Sequence, residues 1–208
     1  MATPELEQVI NAMNNKGYVI YDTPDKEWNI NIVGVRSSNN DPSRFDDYLF
    51  VFYRDGVDWS YYCFNITTDP SIKYLQTPLS DVYEQGTAIL KEGQYIGAYE
   101  INWHKKGSQS AHKALCQNLG EVTVYRDNTY DDEMNLILGT EDTGFFGINI
   151  HRGPSNGDEG TYNWNYSAGC QVFSNDKDFD VFLTVCLNSY KNFGNTFTYT
   201  LLNESDFL

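Results

Sequence analysis

Apolar residues recur at helical spacing near both ends of the chain. The first stripe comprises Leu6, Val9, Ile10 and Met13. Thr3 is predicted to cap this helix, Pro4 to open it and Gly17 to end it, because these residue types favour those positions. The second stripe comprises Phe179, Phe182, Leu183, Cys186, Leu187 and Tyr190. It predicts a helix over residues 176–190 that begins after an Asn175 cap.

Between the two helices, short runs of aromatic and β-branched residues alternate with Gly, Pro, Asn and Asp, a pattern that predicts strands and turns. The predicted strands cover residues 18–21, 28–35, 48–53, 59–66, 86–90, 95–103, 122–126, 136–138, 147–150 and 196–202. Asp55-Gly56 predicts a hairpin turn. We therefore expect a β-rich α+β domain over residues 25–208, with a helix packed on its sheet and an N-terminal helical appendage over residues 1–24.

The charge balance narrows the range of partners. The 208 residues include 29 acidic and 14 basic side chains, a formal net charge of −15. Nucleic acid is not expected, because phosphate backbones are bound by clustered Lys and Arg. No apolar run reaches membrane-spanning length, so no membrane span is expected. The N-terminus lacks a basic segment followed by an apolar one, which predicts synthesis in the cytoplasm without a signal peptide.

The four cysteines are widely spaced and contain no Cys-x-x-Cys pair, so neither a zinc knuckle nor a redox pair is indicated. They are Cys63, Cys116, Cys170 and Cys186. We expect free thiols. Cys186 lies on the apolar stripe and Cys63 alternates with aromatic residues, so both are predicted in the core, whereas Cys116 cannot be placed.

Two further polar segments are predicted to be structural, and no metal or other cofactor is expected. His104 and His112 lie among lysines and are predicted to occupy a solvent-exposed loop. An alternating acidic stretch comprises Asp127, Thr129, Asp131 and Glu133. It resembles a calcium-binding loop but lacks the glycine that such a loop needs. A plain acidic turn is the favoured interpretation, with calcium binding left open.

The segment 147–173 carries the strongest chemical signal. His151 follows an apolar run at a predicted strand end, and Cys170 follows Ser167-Ala168-Gly169 in a turn of small residues. A cysteine nucleophile needs a base, donors for an oxyanion and room for a carbonyl; the turn offers the donors and the room, and His151 is the candidate base. The alternative is that both residues are structural.

The pattern Ile-x-Ile-His-x-Gly over 148–153, followed by Ser-x-Gly-Cys over 167–170, resembles the active-site signature of the L,D-transpeptidase (YkuD-like) family. Residues 86–99 are similar to a segment upstream of that signature. The resemblance implies an L,D-transpeptidase-like β-sandwich or mixed sheet. It also implies that a cysteine attacks a peptidoglycan stem peptide and passes the acyl group to an amine or to water, and the sequence decides neither this acceptor nor the bond cleaved.

Under this resemblance Cys170 is the nucleophile, His151 its base, and the carbonyl of Arg152 the group that orients the imidazole. The N–H groups of Gly169 and Cys170 would supply the oxyanion hole. Ser167 would fix the turn by hydrogen bonds. All five therefore belong to the predicted catalytic set.

Two positions depart from the family pattern and affect the predicted substrate contacts. Ala168 replaces a usual histidine, and Val172 replaces a frequent Arg or Asn. Arg152 is a candidate for binding a stem-peptide carboxylate, because a guanidinium binds carboxylates through two hydrogen bonds; a solvated loop arginine is the alternative. Aromatic contacts to the stem peptide or sugar are predicted from Tyr162, Trp164 and Trp103, which could instead be buried supports of the loop.

The whole chain, including GVRSSN at 34–39 and FGNTFTYTLL at 193–202, also resembles uncharacterised proteins of tailed bacteriophages. That resemblance implies a role in remodelling host peptidoglycan, with virion association or release to the cell wall and other virion proteins as partners. The competing hypothesis is a non-catalytic cell-wall-binding or virion structural protein that retains the fold. A papain-like protease is disfavoured because His151 precedes Cys170 in the sequence.

Overall fold

The computed structural model describes residues 2–39, 41–79, 83–153, 162–163 and 165–207. The helices in this part of the chain are α1 (Leu6–Asn15), α2 (Ile72–Gln76) and α3 (Asp176–Phe193). The strands are β1 (Asn31–Arg36), β2 (Asp47–Asp55), β3 (Asp58–Thr67), β4 (Thr87–Leu90), β5 (Gly93–His104), β6 (His112–Cys116), β7 (Val122–Asp127), β8 (Asp142–Gly144), β9 (Ile150–His151), β10 (Gln171–Phe173) and β11 (Phe197–Asn203). The predicted β-rich α+β class is confirmed.

Eight strands form one sheet that closes on itself like a barrel, in the order β1-β11-β5-β6-β9-β10-β3-β2. The pairs β1/β11 and β9/β10 are parallel, and the other neighbours are antiparallel. Strands β4, β7 and β8 form a separate antiparallel sheet. The short strands β9 and β10 link the two ends of the motif segment 147–173.

Helix α3 packs against β10 through a group of aromatic rings. The ring centroid of Phe173 lies 5.3 Å from that of Phe179 and 5.1 Å from that of Phe182. Burial of each such ring contributes about 1.5–3 kcal/mol to folding. Asn175 caps the helix as predicted, because its side chain accepts a hydrogen bond from Asp178 N at 2.9 Å. None of the described helices combines the length and apolar character that a bilayer span requires.

Helix α1 covers the other face of β1 and β2. The helix side chains in the buried cluster are Leu6, Val9, Ala12 and Met13. They pack with alternate residues of the two strands, namely Val33, Val35, Phe50 and Phe52. The helix begins at Leu6 with Glu5 as its cap. The prediction that Thr3 caps it and Pro4 opens it was wrong, since the Thr3 hydroxyl instead donates to Tyr48 Oη at 3.1 Å. Because α1 packs on these strands, β1 is buried along its whole length.

Two predicted strands are absent from the described structure. Residues 18–21 are irregular because side-chain amides take the place of a partner strand: Gln94 accepts from Val19 N and Asn31 accepts from Tyr21 N, both at 2.8 Å. Residues 136–138 form a connection after β7 in which Leu138 is exposed. The hairpin at Asp55-Gly56 is confirmed, with Gly56 at φ +64°.

Candidate active site

The parallel pair β9/β10 brings His151 and Cys170 to one cleft. Ile150 is paired with Gln171, and His151 with Val172. Cys170 immediately precedes β10 and lies beside Asn149, whose N–H donates to its Sγ at 3.4 Å. Both His151 and Cys170 line the same part of a cleft, and this part has a volume of about 360 Å³.

The turn that carries Cys170 is fixed by Ser167 and Gly169. Ser167 Oγ donates to Cys170 O at 2.7 Å and accepts from Gly169 N at 3.1 Å. The carbonyl of Ser167 accepts from Ser71 N at 2.8 Å, which ties the turn to the start of α2. Gly169 has φ +116°, and a Cβ there would collide with the Ala88 carbonyl oxygen. Only glycine fits this position without strain.

The orientation of His151 is set by the backbone that follows it. Its Nδ1 bonds to Arg152 O at 2.7 Å, so Nδ1 carries the proton and Nε2 is the basic nitrogen. A Cβ on Gly153 would collide with the Phe173 carbonyl oxygen, so the chain passes closely against β10. Burial, reinforced by His104, lowers the pKa of His151 well below its usual range despite the bond to Arg152. The imidazole is therefore neutral at neutral pH.

The Cys170 side chain is a thiol in this structure. Its Sγ donates to Gly147 O at 3.4 Å. Burial raises the pKa of Cys170 to about 11, with the Asn149 N–H opposing the shift. A thiolate–imidazolium pair is therefore not formed in advance, and any attack by Sγ requires proton transfer to a base.

His104 and His112 lie next to this pair, so the prediction of a solvent-exposed loop was wrong. His104 is the last residue of β5, and it is paired with His112, the first residue of β6. The His104 ring stacks on His151 with centroids 4.1 Å apart and an interplanar angle of 17°. His112 lies 5.2 Å from His104 and 5.8 Å from His151 between centroids. We call these three rings the histidine cluster.

A short turn explains why the sequence pattern concealed this cluster. The predicted strand over 95–103 continues to His104, and a turn over residues 105–110 returns the chain into β6. The signal that was missed is a histidine on each side of a Gly-Ser turn, which places the two side by side if the strands pair. In the part of the chain that is described, no group of three or more His, Cys, Asp or Glu is arranged to hold a metal ion.

The cleft has two lobes that meet at the stacked imidazoles. The Cys170 lobe has largely apolar walls, and a second lobe of about 390 Å³ has polar walls that include Arg152, Ser110 and His112. His104, Lys105 and His151 line both lobes. Although the chain has a net charge of −15, the described lining residues include Lys105, Arg126 and Arg152 and no carboxylate.

Lys105 is held at the cleft by an unusual backbone conformation. Its φ is +50°, in the left-handed region that lysine rarely occupies. Such a conformation costs about 1–3 kcal/mol and is concentrated at functional sites. Lys105 thus begins the turn after β5 in this conformation, and it lines both lobes.

The other predicted contact residues are distributed unevenly. Arg152 lines the second lobe. Trp103 alternates with His104 along β5 and is exposed, with Lys113 Nζ 4.7 Å from its ring centroid. Tyr162 is exposed beside Arg44, and neither Trp103 nor Tyr162 is among the residues that line either lobe. Trp164 lies outside the described residues.

The acidic stretch after β7 forms a turn whose carboxylate is saturated by local donors. Asp127 Oδ1 accepts from Thr129 N at 3.1 Å and from Thr129 Oγ1 at 2.7 Å, and its Oδ2 accepts from Asn135 N at 2.7 Å.

The four cysteines are free, with Cys116 and Cys186 buried and Cys63 partly buried. Cys170 is the cysteine that lines the cleft.

Comparison with family models and with curated proteins gives no match for this chain. The chemistry of the site is therefore inferred from its own geometry. A neutral imidazole whose Nδ1 is bound by a backbone carbonyl and a thiol in a glycine turn share one cleft. That arrangement is suited to nucleophilic attack assisted by a general base.

Proposed function

We propose that the chain is a cysteine-dependent enzyme of L,D-transpeptidase type, with the L,D-transpeptidase-like sheet that this implies. It transfers or hydrolyses acyl groups on peptidoglycan stem peptides. The observation that supports this most strongly is that His151 and Cys170 line one cleft while Arg152 O holds Nδ1 of the imidazole at 2.7 Å. Because Nδ1 is held by this carbonyl, Nε2 is the nitrogen that we assign to the thiol proton.

The first half of the reaction forms a thioester. His151 Nε2 removes the thiol proton while Cys170 Sγ attacks the stem-peptide carbonyl, so that an S–C bond forms and the carbonyl electrons move to oxygen. The Cys170 N–H is the donor that we assign to this oxyanion. The Gly169 N–H, also predicted for this role, already donates to Ser167 Oγ at 3.1 Å. The C–N bond then breaks, and the departing amine takes the proton from His151.

The second half of the reaction releases the thioester. An amine or a water molecule attacks the thioester carbonyl while His151 accepts its proton. The C–S bond breaks, and Cys170 regains a proton from the imidazolium. The same base therefore serves both halves, as in other thiol acyl transfer.

The lining of the cleft fits an anionic peptide. Lys105 and Arg152 offer cations to the carboxylates of a stem peptide, and a guanidinium can bind one carboxylate through two hydrogen bonds. Tyr74 and Tyr166 line both lobes and present aromatic surface to the aliphatic parts of the stem. Arg152 is the residue we assign to the stem carboxylate in place of the family residues missing at Ala168 and Val172.

The proposal extends to a setting in a tailed bacteriophage, on the basis of the whole-chain resemblance. The protein would be made in the host cytoplasm and would reach the cell wall in the virion or upon release. Other virion proteins would then be its partners.

Incubation with purified muropeptides tests the enzymatic proposal. Wild-type protein and the control Cys63→Ser, which alters a thiol outside the cleft, should convert tetrapeptide stems into shorter or cross-linked products. Cys170→Ala should leave the stems intact. Unchanged muropeptides with wild-type protein, or conversion by Cys170→Ala, would contradict the proposal.

A second candidate function is a non-catalytic cell-wall-binding or virion structural protein. It is favoured by one observation, namely that the thiol donates to Gly147 O and has a pKa raised to about 11 by burial. This alternative predicts sedimentation with insoluble peptidoglycan that is equal for wild-type protein and Cys170→Ala, together with unchanged muropeptides. Conversion that depends on Cys170 would exclude it.

A further inference from the structure

His104 is connected to both members of the proposed catalytic pair. It contacts His151 directly and is linked to Cys170 through Asn149. Its ring stacks on His151 at 4.1 Å. Its Nδ1 lies 3.0 Å from Asn149 Nδ2. The side-chain amide of Asn149 is oriented by its other end, because Oδ1 accepts from Gln117 N at 2.9 Å. The amide nitrogen therefore donates to His104 Nδ1.

Asn149 connects His104 to the thiol. Its backbone N–H donates to Cys170 Sγ at 3.4 Å, while its side chain is held between His104 and Gln117. His104 is itself fixed, since it is only 8 % exposed and its strand is paired with β6 up to the last residue. His104 therefore packs directly on His151 and is hydrogen-bonded to the residue whose N–H donates to Cys170 Sγ.

We propose that His104 is a positioning residue that holds His151 by stacking and Cys170 through Asn149, in the geometry that proton transfer requires. This inference rests on the proposed function. His104 does not touch the reacting atoms, and it lies outside the motif that identified His151 and Cys170. Its role is to keep base and thiol on one rigid support.

A histidine meets both requirements of this position. A phenylalanine keeps the flat ring but cannot accept from Asn149, and a glutamine keeps an acceptor but has no ring. The ring remains neutral, because burial, with smaller contributions from the neighbouring His112 and Lys105, lowers the pKa of His104 to about 4. Among the described residues, the titratable and charged groups that line the two lobes with the stacked pair are His112, Lys105, Arg152, Arg126, Cys170, Tyr74 and Tyr166.

Single-turnover acylation by 4-nitrophenyl acetate tests the proposal without any cell-wall substrate. In this reaction an S–C bond forms at Cys170 while His151 takes the thiol proton, the ester C–O bond breaks and nitrophenolate leaves. Peptide mass mapping verifies the site. His104→Phe, His104→Gln and Asn149→Ala should each lower the rate constant at saturating ester by about 10–100-fold, the scale of a misplacement near 1 Å. The ester concentration at half-saturation should stay near the wild-type value. Each variant should remain folded, with a melting temperature lowered by only a few degrees because buried polar partners are left unpaired.

Two further variants test the route through Asn149. The double variant His104→Phe/Asn149→Ala should react no more slowly than the slower single variant, because both changes interrupt the same connection. Lys113→Gln is the matched control, since it follows His112 in β6 but lines neither lobe, and it should react at the wild-type rate.

Two results would overturn the role of His104. One is a wild-type rate constant in His104→Phe and His104→Gln, and the other is a double variant whose losses multiply. If wild-type Cys170 itself resists acylation, the proposed function fails and the role of His104 fails with it. A reactive wild-type protein with unaffected His104 variants would refute only this inference.

Discussion

The structure contains two buried polar regions that differ in how their groups are satisfied. In the charge cluster of Arg36, Asp47, Thr68 and Asp69, Asp47 accepts from Ser37 N at 2.7 Å and from Thr68 N at 2.6 Å. Arg36 Nε lies 3.0 Å from Thr68 Oγ1 and 3.3 Å from Asp69 Oδ1. In the histidine cluster, by contrast, Nε2 of His104 and Nε2 of His112 are buried without a partner among the described residues.

The difference shows that burial of titratable groups does not by itself define a site. The charge cluster joins β1 and β2 to the end of β3, and its charges are paired because an isolated buried charge is too costly. One guanidinium nitrogen, Arg36 Nη1, remains without a partner in the described part. The histidine cluster instead faces a cleft and leaves a basic nitrogen on His151. We therefore assign stability to the first region and chemistry to the second.

The largest effect is expected from His151→Gln. It removes the base but no charge, because the imidazole is neutral at neutral pH. The rate constant for Cys170 acylation should fall about 10²–10⁴-fold, the usual contribution of a general base. The free energy of unfolding should change by about 1 kcal/mol, which is typical of a single substitution. Burst kinetics and urea unfolding measure the two quantities, and a rate within threefold of wild type would remove His151 from the mechanism.

Arg36→Met should have the opposite pattern of effects, a large loss of stability with no change in the acylation rate. It leaves Asp47 and Asp69 without their buried cation and should reduce the free energy of unfolding by about 3–5 kcal/mol. The control Arg44→Met removes a solvent-exposed pair with Asp41 and should cost far less. The acylation rate of the folded fraction should stay at the wild-type value in both variants. Slower acylation by folded Arg36→Met would show that the two regions are not independent.

The smallest effect concerns pH, where the two regions act with opposite sign. Burial lowers the pKa values of the three histidines in the folded state. In the unfolded chain the histidine pKa values are about 6.5, so below that pH the unfolded chain binds more protons than the folded chain. The free energy of unfolding should decrease as the pH falls below about 6.5.

The charge cluster predicts a loss of stability toward alkaline pH. Burial raises the pKa of Asp47 to about 6, and burial together with Asp47 raises that of Asp69 to about 8, while Arg36 opposes both shifts. The folded chain thus binds more protons than the unfolded one up to about pH 8, and this contribution to stability decreases as the pH rises through that window. Asp69→Asn should reduce this alkaline decrease, by at most about 1.4 kcal/mol per pH unit. It should also make the decrease below about pH 6.5 steeper, because Asp69 opposes the histidines in that range.

Urea unfolding at pH 5, 6, 7 and 8 separates these two contributions. A wild-type stability that rises continuously through this range would contradict the raised pKa of Asp69. An unchanged slope in Asp69→Asn would do the same. Loss of the acidic decrease in this variant would contradict the assignment of that decrease to the histidines.

The long elements could be predicted from sequence because their patterns extend over several turns or pleats. The stripe of α3 and the runs of β2, β3, β5 and β11 all produced elements near the expected bounds. The strands β6, β8 and β10 have five, three and three residues, too few for a periodic signal. They are stabilised by pairing with distant segments, which local propensity does not encode.

The candidate site was predictable only in part for the same reason. His151 and Cys170 lie within one segment, so a local motif could identify them. His104 reaches them through the β5/β6 and β6/β9 pairings, which are tertiary contacts. The polar residues around His104 suggested a loop, although the ring is buried by its neighbours across the sheet. Trp103 was predicted at the site, but it alternates with His104 and lines neither lobe.

The central claim is that Cys170 is a nucleophile served by His151. Intact-mass measurement after treatment with a carbapenem, followed by peptide mapping, tests it most directly because this reagent acylates a cysteine of the proposed type. The account predicts one adduct on Cys170, formed much more slowly in His151→Gln and absent in Cys170→Ala. No adduct on wild-type protein, or an adduct on another cysteine, would contradict it.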